Sequence, residues 1–215
     1  MGYDGILWGR VMGRRSIIRA DQSYSFSDYF KLNFAPQDIL AFFGVELVRM
    51  SVVLPRYEGV LDRVGDLRGR LEESLPRVGL TSEMARREFL IAPVLMEVLD
   101  YTQATLNVEY PIVVSPQLKG SLDYLLQSKG LFLVIEAKNE DLERRFVQLA
   151  VELIALDQWF ESEEPILYGA ISTGNIWQFG CFDRQAKVIT QDFNLYRVPG
   201  DLEELLRILV QLLGL

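Results

Sequence analysis

The chain has 215 residues, 49% hydrophobic and 24% charged, with a net charge of −8, one cysteine and no histidine. Without histidine there is no Ser-His-Asp or Cys-His catalysis, no histidine general base and no His-ligated zinc. The lone Cys181 excludes an internal disulfide and cysteine-cluster zinc. What remains is the chemistry of carboxylates, lysine and oxygen-ligated ions such as Mg²⁺ or Mn²⁺.

The length suits one domain with a good core and a small appendage. No apolar run approaches the roughly 18 residues of a membrane helix. The opening MGYDGILWGRVMGRR lacks a cleavable signal pattern. A cytoplasmic location, with no membrane partner, is the expectation. No GxxxxGK[ST] or GxGxxG supports a phosphate-cradling loop. The acidic balance counts against a nucleic-acid footprint. Local basic clusters offset it: Arg10, Arg14, Arg15 and Arg19, then the pairs Arg86-Arg87 and Arg144-Arg145. Each reads equally well as a solvated surface.

In chain order, residues 1–60 are the least informative. Pro36 opens a helix, PQDILAFF, closed by Gly44. VELVRMSVVLP follows as a strand ending at Pro55. LDRVGDLRGRLEESL has leucines at helical spacing, weakened by Gly65 and Gly69.

A helix is expected from Ser82 to Asp100, with Ser82 as N-cap and Pro93 as a kink. At about 100° per residue, Met84, Ile91, Ala92, Leu95, Val98 and Leu99 share one apolar arc. Glu88 falls in the middle of that arc, and Arg86, Glu97 and Asp100 fall opposite. A lone carboxylate on a core-facing stripe requires a reason.

TLNVEYPIVV, a turn around SPQLKG, and SLDYLLQ read as a hairpin carrying Asp123. LFLVIEAK, residues 131–138, comes next. Its continuous apolar run predicts a central strand buried on both faces. Residues two apart on a strand point to one side, so Glu136 and Lys138 leave that strand together. An acid and a base there are costly unless paired, metal-bound or wet. DLERRFVQLAVELIALDQWF is a long helix with a core stripe from Leu142 to Phe160, and Gln148 and Glu152 share another face with Arg145. ILYGAIS, the turn Thr173-Gly174-Asn175 and IWQFGCF make a second hairpin. VITQDFNLYRV is a further strand, and Asp201 with Glu204 forms a capping box for the last helix. The order predicts an α/β domain with a mixed sheet.

Asp123, then Glu136-x-Lys138 on a neighbouring strand, resembles the signature of the restriction-endonuclease-like PD-(D/E)XK nucleases. The resemblance runs from about residue 80 to the C-terminus. LYGAISTGNIWQF is also similar to uncharacterised nuclease-like proteins common in cyanobacteria. The proline that often precedes the family's aspartate is Leu122 here. The resemblance implies a restriction-endonuclease-like core over residues 81–215, with residues 1–80 as an N-terminal extension packed on it. It implies Mg²⁺- or Mn²⁺-dependent hydrolysis of DNA phosphodiester bonds. Asp123, Glu136 and the Ala137 carbonyl would hold the ion, and Lys138 would orient or deprotonate the attacking water. Glu88 matches an additional acid that many members supply from the first core helix. Gln148 matches a glutamine that lines the site from the following helix. A homodimer is expected, since a duplex has two strands. The alternatives are a silent nuclease-fold protein that binds nucleic acid or a protein partner, and a structural module with a vestigial site. Nothing structural requires all three charges of an intact triad.

Overall fold

The computed structural model describes residues 17–138 and 142–214. Of the N-terminal arginines only Arg19 lies within it, paired with Asp21; Arg10, Arg14 and Arg15 lie outside the described residues. The elements are α1 (Phe26–Tyr29), α2 (Pro36–Phe42), β1 (Glu46–Met50), α3 (Val64–Ser74), α4 (Glu83–Arg86) and α5 (Ala92–Tyr101). They continue with β2 (Thr105–Ser115), β3 (Leu118–Ser128), β4 (Leu131–Ala137) and α6 (Leu142–Trp159). Last come β5 (Ile166–Ser172), β6 (Ile176–Asp183), β7 (Val188–Arg197) and α7 (Leu202–Gln211). No helix among the described residues is long and apolar enough to cross a membrane.

The seven strands form one mixed sheet in the order β1-β7-β6-β5-β4-β3-β2. β4 runs parallel to β5, and β1 parallel to β7; the other neighbours are antiparallel. Successive residues of the central strands β4 and β5 alternate between two cores, as the pleat requires. Leu126, Leu133, Ile135 and Ala170 pack under α3, α5 and α7. Leu125, Val134, Leu167 and Ile171 pack under α6, α1 and α2. β4 is therefore covered on both faces, as its apolar run predicts.

β1 is a strand of the same sheet, and α1 and α2 share a core with α6. α2 falls where Pro36 and Gly44 place it, whereas the strand expected to run to Pro55 stops at Met50. Gly44 leaves α2 with φ 70°, the left-handed conformation that ends helices cheaply with glycine. The capping box at Asp201 is not formed: its carboxylate accepts from the Arg197 amide (2.9 Å) and guanidinium (3.1 Å) instead. Glu204 pairs with Arg56.

Gly180 on β6 lies beneath α6. A Cβ there would stand 2.5 Å from the buried Phe146 ring, which has no room to yield. Gly180→Ala should therefore lower stability by about 1–3 kcal/mol. The midpoint of a urea melt reads it, and an unchanged midpoint would mean that Phe146 moves freely.

Candidate active site

The candidate site lies where β3 and β4 part. Their ladder reaches Tyr124↔Ile135. Beyond it, Glu136 and Ala137 pair with Ile171 and Ser172 of β5, and the Lys138 amide donates to the Ser172 carbonyl at 2.7 Å. Asp123 fills the opening fork by accepting the Ala137 N–H at Oδ2, 2.9 Å away. The Ala137 group that touches Asp123 is thus its amide. Across from Asp123, Glu109 on β2 adopts φ 53°, so the edge strand is irregular at this corner.

Cross-strand partners face the same way, so Glu136 points with Ile171 toward α6. There Gln148 donates its amide to Glu136 Oε1 and to Glu152 Oε1, the latter at 2.9 Å. Lys138 Nζ closes an ion pair with Glu136 Oε1. Glu136 is 1% exposed and Glu152 0%. From the other side, the Arg87 guanidinium stands 3.7 Å from Asp123 and lies over the Tyr124 ring.

Burial governs the charges. It pushes the Glu136 carboxyl up to about 8, the neighbouring Asp123 charge adds to this, and Lys138 opposes it. Glu152 is raised well above the ordinary carboxylate range, by burial first and then by Glu136. Burial would lower Lys138, but Glu136, Asp123 and Glu152 together outweigh it and raise its pKa, so Lys138 is held as an ammonium. Three buried oxygens here have no hydrogen-bond partner among the described residues: Glu136 Oε2, Gln148 Oε1 and Glu152 Oε2. Unsatisfied buried acceptors are rare and call for an explanation.

An all-oxygen donor set with carboxylates suits Mg²⁺ or Mn²⁺, and unsatisfied acceptors are what a cation would fill. Asp123 and Glu136, with Glu152 behind, fit that ion chemically. As they stand, no three acidic or cysteine side chains among the described residues are grouped closely enough to hold a metal; Lys138 occupies Glu136 instead.

The structure brings together Asp123, Glu136, Ala137, Lys138 and Gln148. It does not bring Glu88. That side chain is exposed and borders a surface groove of about 570 Å³ with Arg87 and Tyr124. The cause is a single wide turn, Arg87–Ile91, between α4 and α5, in which the Ala92 amide donates to the Arg87 carbonyl. Pro93 follows directly and has no amide to give, so the turn ahead of it widens. One extra residue in the turn breaks a uniform 100° phase. Met84 and Glu88 are accordingly turned outward. Glu97, expected opposite the arc, is buried and paired with Arg63 (3.0 Å) and Arg70 (3.4 Å) of the α3 region. Ser82 does cap the helix, accepting from the Ala85 amide at 3.1 Å.

Sequence reasoning missed two residues. Glu152 carried a signal, since it follows Gln148 by one helical turn on the same face. Arg87 carried none beyond its charge.

No family model matches the chain, and no curated protein matches it in sequence.

Proposed function

We propose that the chain is a metal-dependent nuclease that hydrolyses DNA phosphodiester bonds on a restriction-endonuclease-like core. The observation that carries this reading is the convergence of Asp123, Glu136 and Lys138 at the fork of β3 and β4. The buried, unsatisfied carboxylate oxygens beside them add support. A Mg²⁺ or Mn²⁺ ion bound by Asp123 and Glu136 would neutralise phosphate charge and make bound water more acidic. Lys138, an ammonium two residues from Glu136, supplies donors to the scissile phosphate and orients the attacking water. Gln148 fixes Glu136, and Arg87 holds Asp123 from outside the sheet.

A second reading is a silent nuclease-fold protein that binds nucleic acid or a protein partner. The closed Lys138–Glu136 pair and the net charge of −8 favour it. Incubation of pure protein with plasmid and single-stranded DNA in Mn²⁺ decides between them. Cleavage should occur and be lost with Asp123→Ala and with EDTA. Activity that survives both would overturn the site, and binding without cleavage would favour the second reading.

A further inference from the structure

The α6 face of the sheet carries further buried polar side chains that the proposed site does not use. Glu136 pairs with Ile171, and Ile171 pairs with Gln178 of β6. Cross-strand partners share a face, so Gln178 lies in the same row, two strands and roughly 10 Å from Glu136. Gln191 on β7 donates its amide to Gln178 Oε1 at 3.2 Å. Arg49 on β1 sits opposite Gln191 in register. Together with Glu143, Phe193 and Leu195 they line a pocket of about 270 Å³.

Three features mark this pocket as built to receive something. Gln191 is 3% exposed, yet its Oε1 has no partner among the described residues. The Arg49 Nε, on the residue paired with Gln191 in register, is also buried and without a partner among the described residues. One pocket thus holds both an acceptor and a donor left over. Third, the strand breaks its alternation here: Gln191 and Asp192 are both buried, and Phe193, Asn194 and Leu195 are all exposed. The fully buried Asp192 fixes this bulge. Its Oδ1 accepts from the amides of Val52 (3.0 Å) and Asn194 (3.0 Å) and from the Asn194 side chain (2.9 Å). Bulges near sites re-aim side chains, and this one turns an aromatic ring out to water, with Phe193 60% exposed.

We infer that this pocket receives an unpaired nucleobase of the strand being cut, which makes single-stranded DNA the substrate class. The inference rests on the nuclease reading for the ligand being nucleic acid. A phosphate is disfavoured, because the Arg49 charge is already met by Glu143 at 2.5 Å. A base edge offers an acceptor and a donor to Arg49 and Gln191, and its face stacks on Phe193. A base inside a duplex has its pairing edge occupied and its faces stacked, so it cannot enter. The volume lies just under the ~300 Å³ at which pockets take drug-sized ligands, as one base requires.

The test is anisotropy of a short fluorescein-labelled single-stranded DNA, and of the matching duplex, titrated with protein in EDTA so that nothing is cut. Wild type should bind the single strand more tightly than the duplex. Phe193→Ala should weaken single-strand binding roughly ten-fold or more, and Phe193→Trp should retain it. Gln191→Leu should weaken it as well. An RNA oligomer of the same sequence, titrated in parallel, separates base recognition common to both nucleic acids from preference for the DNA sugar. Phe193 is exposed, so its variants should fold. Phe193→Ala binding like wild type, or duplex binding equal to single-strand binding, overturns the pocket. The two readings fail separately. Cleavage in Mn²⁺ with binding indifferent to Phe193 sinks the pocket alone. Binding that depends on Phe193 without any cleavage sinks only the hydrolysis.

Discussion

Replacing Lys138 by methionine should reduce Mn²⁺-supported DNA cleavage by about 10²–10⁴-fold, the usual contribution of one positioned proton-transfer group. Methionine keeps the length of the side chain and removes the charge. The cost to the fold is limited, because Glu136 is already disposed to take up a proton when its partner is lost. Lys138→Arg should not restore the rate: the broad planar guanidinium cannot take the place of a compact ammonium in the buried contact with Glu136. Single-turnover rates on single-stranded DNA, together with melting curves that show the variant folded, check this. A variant within three-fold of wild type would remove Lys138 from the chemistry.

Without added metal, the protein should lose stability as the pH rises from about 4.5 to about 8. Unfolded, the Glu136 carboxyl releases its proton near 4.5, as an ordinary glutamate does; folded, it holds the proton up to about 8. Between those values the folded state binds more protons than the unfolded one, so unfolding becomes easier as pH rises. Glu152 acts in the same direction. For Glu136 alone the loss should be on the order of 5 kcal/mol across the window, at about 1.4 kcal/mol for each unit of difference. Lys138, raised from an already high value, contributes nothing in this range. Asp28, lowered to about 2, matters only below pH 4. Glu152→Gln keeps the shape and removes one of the two raised acids. It should flatten the curve and, at pH 8, make the metal-free protein more stable than wild type, by about 1–2 kcal/mol. Asp123→Asn should do less, because Asp123 already has the Ala137 amide and Arg87 beside it. Excess Mn²⁺ should restore wild type at high pH, where the carboxylates are free to bind it. Urea melts from pH 4.5 to 8.5, in EDTA and in Mn²⁺, decide it. Stability that is flat or rises with pH in EDTA would mean that Glu136 is ionised throughout.

The sequence made the middle of this molecule legible because two periodicities are clean there. The unbroken run before Glu136 marks β4 as covered on both faces, and the two-residue repeat puts Glu136 and Lys138 at one end of it. Gln148 follows at a spacing that brings it under the sheet. Legibility ended where local geometry departs from a uniform period. A single wide turn before Pro93 turned Glu88 outward and buried Glu97. A bulge after Gln191 exposed Phe193, which a regular strand would have alternated inward. Asp201 meets the rule for a cap yet binds Arg197, a partner four residues upstream. Such departures depend on which groups meet in three dimensions, and no fixed repeat contains that. Glu152 shares a helix face with Gln148 in the sequence, but that face lies off the apolar stripe, so its burial was not legible there.

The parallel pairing of β1 with β7 has a consequence for how the chain assembles. Glu46 and Val188 are partners, yet 142 positions separate them along the chain (188 minus 46). At about 5–20 residues per second of synthesis, β1 waits roughly 7–28 s before the strand it must pair with exists. Closing so long a loop is costly, and contacts of this kind form late. During that wait Val45 and Leu47, destined for the core beneath α6, are exposed on an unpaired strand. The rest of the sheet, from β2 to β6, can zip from hairpins and one local crossover through α6. Native-state hydrogen exchange should therefore find the β1 amides opening first and the β3–β4–β5 amides last, with the carboxylates of the candidate site set in the part of the sheet that is ordered earliest and lost latest.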